Sequence, residues 1–139
     1  MLRTMCRVAL GYLAFVSVTL GAWALLAPRS FYDDYPGLGR SWVSIDGPYN
    51  EHLVRDVGAL NLALTVVFVG AAVTLGRAMI ITASIASLVW GIPHFIYHLA
   101  NLDDLGAGDA FASIAGLAVF ALLPIVLIIV SSSLDEADG

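Results

Sequence analysis

Lysine is absent from this chain, and charge of either sign is scarce. The 139 residues carry six basic side chains, all arginine (Arg3, Arg7, Arg29, Arg40, Arg55, Arg77), and eleven acids, for a formal charge of −5. Charged residues make up 12% of the chain, about half the share in an average soluble domain. No basic stripe can track a phosphate backbone, which excludes a nucleic-acid partner. There is one cysteine, Cys6, so no intramolecular disulfide can form. No small-residue lipobox precedes it, and it reads as filler in a first helix. A P-loop, a nucleophile elbow, a dinucleotide fingerprint and internal repeats are all missing.

Apolar residues are abundant instead, at 60% of the chain with a mean hydropathy of +0.90. That composition excludes a disordered tail and an ordinary soluble enzyme, and it points to a membrane protein. A helix crossing a hydrocarbon layer about 30 Å thick needs about 20 mostly apolar residues. Four segments qualify, at about residues 8–27, 57–75, 78–99 and 110–130. The first resembles a signal peptide, with Arg3 and Arg7 ahead of it and Ala22-Trp23-Ala24 mimicking a cleavage site. Its apolar run exceeds the roughly 7–15 residues of a signal core, so it is expected to stay as a span. The expected fold is all-α: an integral membrane, antiparallel four-helix bundle forming a single domain over residues 1–139. A polar tail, residues 131–139, is expected to fray.

The connections are unequal. Gly76-Arg77 is nearly all that joins the second and third spans, which forces an antiparallel hairpin. About ten residues join the third and fourth. The long connection, residues 28–49, holds Phe31, Tyr32, Tyr35, Trp42 and Tyr49, broken by Pro28, Pro36 and Pro48. Such aromatics favour the headgroup layer, so this loop is expected to lie on the membrane surface as a cap. The stretch from Phe31 to Gly37 reads as an anchoring turn. Four spans put both termini on one side, with Arg3, Arg7 and Arg77 there and Arg29, Arg40 and Arg55 opposite. That tie is tilted by Arg55, which can lie inside a helix, and by acids such as Asp33, Asp34, Asp46, Asp103 and Asp104 on the loop side. Both termini are expected in the cytoplasm. Small residues (Gly58, Gly70, Ala71, Ala83, Ser84, Gly91) suit close helix packing. Pro93 and Pro124 are expected to kink their helices.

Polar residues gather where the second span begins: Asn50, Glu51, His52, Arg55, Asp56 and Asn61. Pro48 suits the start of that helix. Glu51 with Arg55, and His52 with Asp56, are four apart and fall on adjacent stripes. The acids lie near the positive end of the helix dipole. On the third span His94 and His98 are also four apart. Ser87, Gly91, His94, His98 and Asn101 share one sector of about 80°, which is small or polar and ill-suited to lipid. Antiparallel helices would bring both clusters to one end of the bundle. His52, Asp56, His94 and His98 could then hold Zn²⁺ or iron, with Arg55, Asn61 and Tyr97 around them. Alternatively, Glu51, His52, Arg55, Asp56, Asn61 and Tyr97 could bind the polar head of a quinone or lipid. A histidine with a carboxylate could also move a proton. Against these stand plain readings: Glu51–Arg55 as a solvated pair, and His94 and His98 as donors to loop carbonyls. Charge near a helix end lies close to water, where its cost is small.

In layout, and in the acid and arginine within the Asn50–Asn61 stretch, the chain resembles the DoxX-like group of small bacterial four-helix membrane proteins. The His-x-x-x-His of the third span is not part of that resemblance. The group is loosely associated with redox or sulfur-linked membrane components, so the resemblance implies a quinone or redox-partner role. The use of arginine in place of lysine, with abundant alanine, valine and aspartate, fits a high-GC bacterium and its inner membrane. Three function classes follow. The leading one is a binding protein for a quinone- or lipid-like molecule or a metal. The second is an accessory subunit of a larger membrane complex, or a homo-oligomer, whose polar cluster only fixes the bundle. The third is a membrane-embedded isomerase or hydrolase using His and carboxylate. Transport is disfavoured, because four spans carry neither inverted repeats nor mid-membrane ions.

Overall fold

In the computed structural model, residues 1–135 are described, and 136–139 lie outside the described residues. The chain is built from helices: α1 (Leu2–Leu26), α2 (Pro28–Asp34), α3 (Glu51–Thr74), α4 (Arg77–Ala100) and α5 (Ala107–Asp135). Two-residue strands, β1 (Pro36–Gly37) and β2 (Arg40–Ser41), pair antiparallel between α2 and α3, and a 3₁₀ turn follows at Ser44–Asp46. Four helices, α1, α3, α4 and α5, are long and apolar enough to cross a membrane. The all-α expectation holds. Each expected span lies within one of these helices, save for a single residue at the ends of the first two.

The boundaries have local causes. α1 stops ahead of Ala27-Pro28, because the residue before proline is pushed out of helical geometry. Pro28 then opens α2, where a missing N–H costs nothing. Asn50 caps α3, its Oδ1 accepting from the Leu53 N–H at 3.1 Å. Between α3 and α4 only Leu75 and Gly76 intervene, with Leu75 in the left-handed region at φ 51°. Asn101 ends α4, its side chain donating to the Tyr97 carbonyl at 2.7 Å. Both prolines, Pro93 and Pro124, sit inside helices that continue past them.

The polar end differs from expectation as far as Asp135. α5 runs through Ser131 and Ser132, whose hydroxyls donate back to the Ile128 and Ile129 carbonyls at 2.7 and 2.9 Å. A serine hydroxyl bonded back to its own helix has its donor satisfied there, so the helix can run on through polar residues. The frayed tail expected beyond Asp135 lies outside the described residues.

Two compact units can be distinguished, one of Met1–Leu13 with the chain from Val67 on, the other of Ala14–Val66. In the first, α4 packs on α5 and buries Ile80, Ala83, Ser84, Ser87 and Gly91. Phe68, on α3, meets Phe120 edge-on at 6.3 Å. Arg7 donates to the Ala72 carbonyl at 3.3 Å, satisfying one of the acceptors left over in the last turn of α3. In the second unit, α1 and α3 touch almost backbone to backbone at Gly21 and Gly58.

The segment from 28 to 49 is a folded cap rather than an open loop. Phe31 is buried with Ala24 and Val54, and Trp23, Tyr35, Val43 and Tyr49 pack around them. Phe31, Tyr35 and Trp23 meet at centroid distances of 5.0 to 6.2 Å. Trp23 Nε1 donates to Ser30 Oγ at 3.3 Å, and Ser30 donates to Asp34 at 3.0 Å.

Candidate functional site

The first cluster forms on the opening turns of α3, where the spacing dictates it. Arg55 Nε donates to Glu51 at 2.9 Å, and His52 Nε2 lies 3.3 Å from Asp56. Both are i,i+4 pairs. His52 and Asp56 are open to solvent, with side chains 87% and 62% exposed. Such a pair contributes little stability, which leaves its groups free for a ligand. Arg55 does more. Its other guanidinium nitrogen donates to the Leu25 carbonyl, one of the orphan acceptors ending α1. Arg55 therefore ties α3 to α1 while holding Glu51. Asn61 is turned inward and is 2% exposed. Its Nδ2 donates to the Val57 carbonyl at 2.9 Å, and its Oδ1 has no partner.

Beside this cluster lies a depression of about 820 Å³, open to solvent. Tyr32, Pro48, Tyr49, Glu51, His52 and Leu53 are among its lining residues. Its walls are held firmly. Arg29 forms a two-pronged bond to Asp33 at 2.6 and 3.0 Å. Its guanidinium stands 5.6 and 5.0 Å from the ring centres of Tyr32 and Tyr49. Tyr32 donates to the Gly47 carbonyl at 2.5 Å. The bond to Asp33 raises the Arg29 pKa further. Burial pushes the Tyr49 hydroxyl above its ordinary value, and the charge on Glu51 adds to the shift.

The second cluster lies on α4. His94 and His98 meet edge to face at 4.6 Å, and Tyr97 meets His98 at 5.5 Å. His94 stacks on Trp90 at 4.6 Å and 22°, and Trp90 meets Phe120 of α5 edge-on at 6.0 Å. Along the sector that the sequence marks as ill-suited to lipid, Ser87 and Gly91 are buried, His94 and His98 half-buried and Asn101 exposed; Tyr97, beside it, is exposed too. The hydroxyls of Ser84 and Ser87 are buried without hydrogen-bond partners.

His52 and Asp56 belong to the Ala14–Val66 unit, and His94 and His98 to the other. Among the described residues, no group of three or more His, Cys, Asp or Glu is placed to hold a metal ion. Sequence reasoning overlooked three residues. Trp90 could have been found from its spacing, since 90, 94 and 98 fall on one stripe. Arg29 over the Tyr49 ring, and Gly21 opposite Gly58, are contacts between distant segments and leave no local signal. No family model matches the chain, and neither a curated protein nor a solved structure is significantly similar to it.

Proposed function

We propose that the chain is a multi-pass protein of a bacterial inner membrane, its four long helices forming an antiparallel bundle with both termini in the cytoplasm. In this reading it binds a quinone- or lipid-like amphiphile at the polar start of α3. One observation carries the proposal. A helix of membrane-spanning length opens on Glu51, His52, Arg55 and Asp56, and an open depression of about 820 Å³ adjoins that start. Such a volume falls within the roughly 300–1,000 Å³ of small-molecule sites. The lining has two characters, as an amphiphile requires. Glu51 and His52 offer an acceptor and a donor to a polar head, while Leu53, Val54 and Pro48 offer apolar surface to the start of a tail. The likeness in layout to the DoxX-like group favours a quinone over a bulk lipid. A zinc or iron ion on His52, Asp56, His94 and His98 has less support, because among the described residues no three such groups are gathered.

The test is extraction of the protein purified in mild detergent, with mass spectrometry of what leaves it. The wild type is expected to retain one class of quinone or lipid in stoichiometric amount, and a Glu51→Gln, His52→Ala variant to lose most of it. The same mixture of bulk lipids on both proteins would overturn the reading. Elemental analysis of the same preparations covers the metal. Stoichiometric zinc or iron, lost in a His94→Ala, His98→Ala variant, would put a metal site in place of the amphiphile.

A further inference from the structure

Residues Pro36–Ser41 form a small finger whose construction is hard to account for by folding alone. At its tip Leu38 is 99% exposed. It also occupies the left-handed region, at φ 60°, between Gly37 at φ 98° and Gly39 at φ 74°. Glycine or asparagine takes that conformation readily, and a leucine there is strained. A single exposed leucine is unremarkable. A leucine held in strained backbone at the end of a braced turn is different, because nothing in the fold gains from it.

The bracing is explicit. Pro36 faces Ser41 and Gly37 faces Arg40 across the strand pair. The Trp42 N–H donates to the Tyr35 carbonyl at 2.7 Å, and Ser41 Oγ donates to the Asp33 carbonyl at 2.6 Å. At the base, the Tyr35 and Trp42 rings meet edge-on at 6.0 Å. From base to tip the finger presents an aromatic pair, then an exposed arginine, Arg40, then a bare leucine. Tyrosine and tryptophan favour the headgroup layer, arginine extends to reach polar groups, and leucine favours acyl chains. In the chain the finger falls between the end of α1 at Leu26 and the start of α3 at Glu51, both helices of membrane-spanning length. Their ends are where headgroups would be.

We propose that this finger inserts into one leaflet of the bilayer, with Leu38 among the acyl chains and the Tyr35–Trp42 pair at the headgroup level, so that the cap is pinned to the membrane surface. The inference rests on the reading that α1 and α3 span a membrane. Its test therefore carries a separate check of that reading. In a Cys6→Ala background, Leu38→Cys and Val66→Cys are each labelled with an environment-sensitive dye. Val66 lies at the middle of the apolar run 57–75 of α3 and is exposed. Each protein is reconstituted in phosphatidylcholine vesicles, with and without bromine on the acyl chains. Both labels are expected to lose most of their emission in brominated vesicles and little to iodide in the buffer. If the Val66 label is quenched by bromine while the Leu38 label answers only to iodide, the finger points to water. The insertion proposal then falls, a partner protein becomes the occupant, and the spanning reading stands. If neither label answers to bromine, the spanning reading fails and the insertion proposal fails with it.

Discussion

Gly58→Leu is expected to abolish the packing of α3 on α1, and Gly58→Ala to cost about 1–3 kcal/mol, the usual penalty for overfilling a tight contact. The reason is the kind of atom that a side chain would meet. A Cβ at 58 would lie 2.6 Å from the Leu25 nitrogen and 2.9 Å from the Gly21 oxygen, both backbone atoms on a helix that cannot yield locally. Leucine would place three further carbons in the same wedge. Helix propensity alone argues the opposite, since glycine to alanine in a helix gains about 0.5–1 kcal/mol where space allows. Gly11 provides that comparison: it lies in α1, and a Cβ there meets nothing within 4 Å. Gly11→Ala should raise the thermal unfolding midpoint in detergent slightly, and Gly58→Ala should lower it clearly. A Gly58→Ala protein that melts at or above the wild type would show that the close crossing is not part of the folded state. In a bilayer the crossing matters more, because lipid tails remove the hydrophobic drive and leave close packing to hold helices together.

The four long helices are legible in the sequence because length and hydropathy are local properties, and each helix contains its apolar run to within one residue while extending up to six residues beyond it. The pairs Glu51–Arg55 and His52–Asp56 were legible for the same reason: a spacing of four puts side chains together on any helix. What escaped depends on contacts between distant segments. Arg55 could be paired with Glu51 on paper, but not with the Leu25 carbonyl thirty residues earlier. The aromatics of residues 28–49 read as surface anchors; the packing of Tyr35 and Tyr49 around Phe31, in a core that α1 and α3 complete through Ala24 and Val54, leaves no local signal in the sequence. Ser131 and Ser132 read as tail because serine is polar, yet in the structure their hydroxyls turn back onto the helix. The histidines of α4 stand out in the sequence as possible ligands, and the structure adds the ring of Trp90, stacked on His94.

That stack leads to the second large effect. Phe68→Ala is expected to cost about 3 kcal/mol, the low end of large aromatic truncations in cores. Phe68 is fully buried and meets Phe120 edge-on. Phe120 meets Trp90, and Trp90 stacks on His94, so a cavity at 68 opens at the foot of a ladder of rings. If the helices lie in lipid, the part of the cost due to leaving water is small, and what remains is dispersion lost to a void that neighbouring rings fill poorly. Phe68→Leu keeps most of the volume and should cost less than about 1.5 kcal/mol. Phe68→Ala with Phe120→Ala should cost less than the sum of the two, by about 0.5–1.5 kcal/mol for the edge contact they share. Unfolding in detergent measures all three. Chemical modification of histidine in the folded protein adds a reading that stability alone does not. If the ladder holds His94 in place, Phe68→Ala should speed its modification while leaving that of the exposed His52 unchanged. Equal rates in variant and wild type would mean that the α4 pair is held by its own helix, and that the rings below it serve packing only.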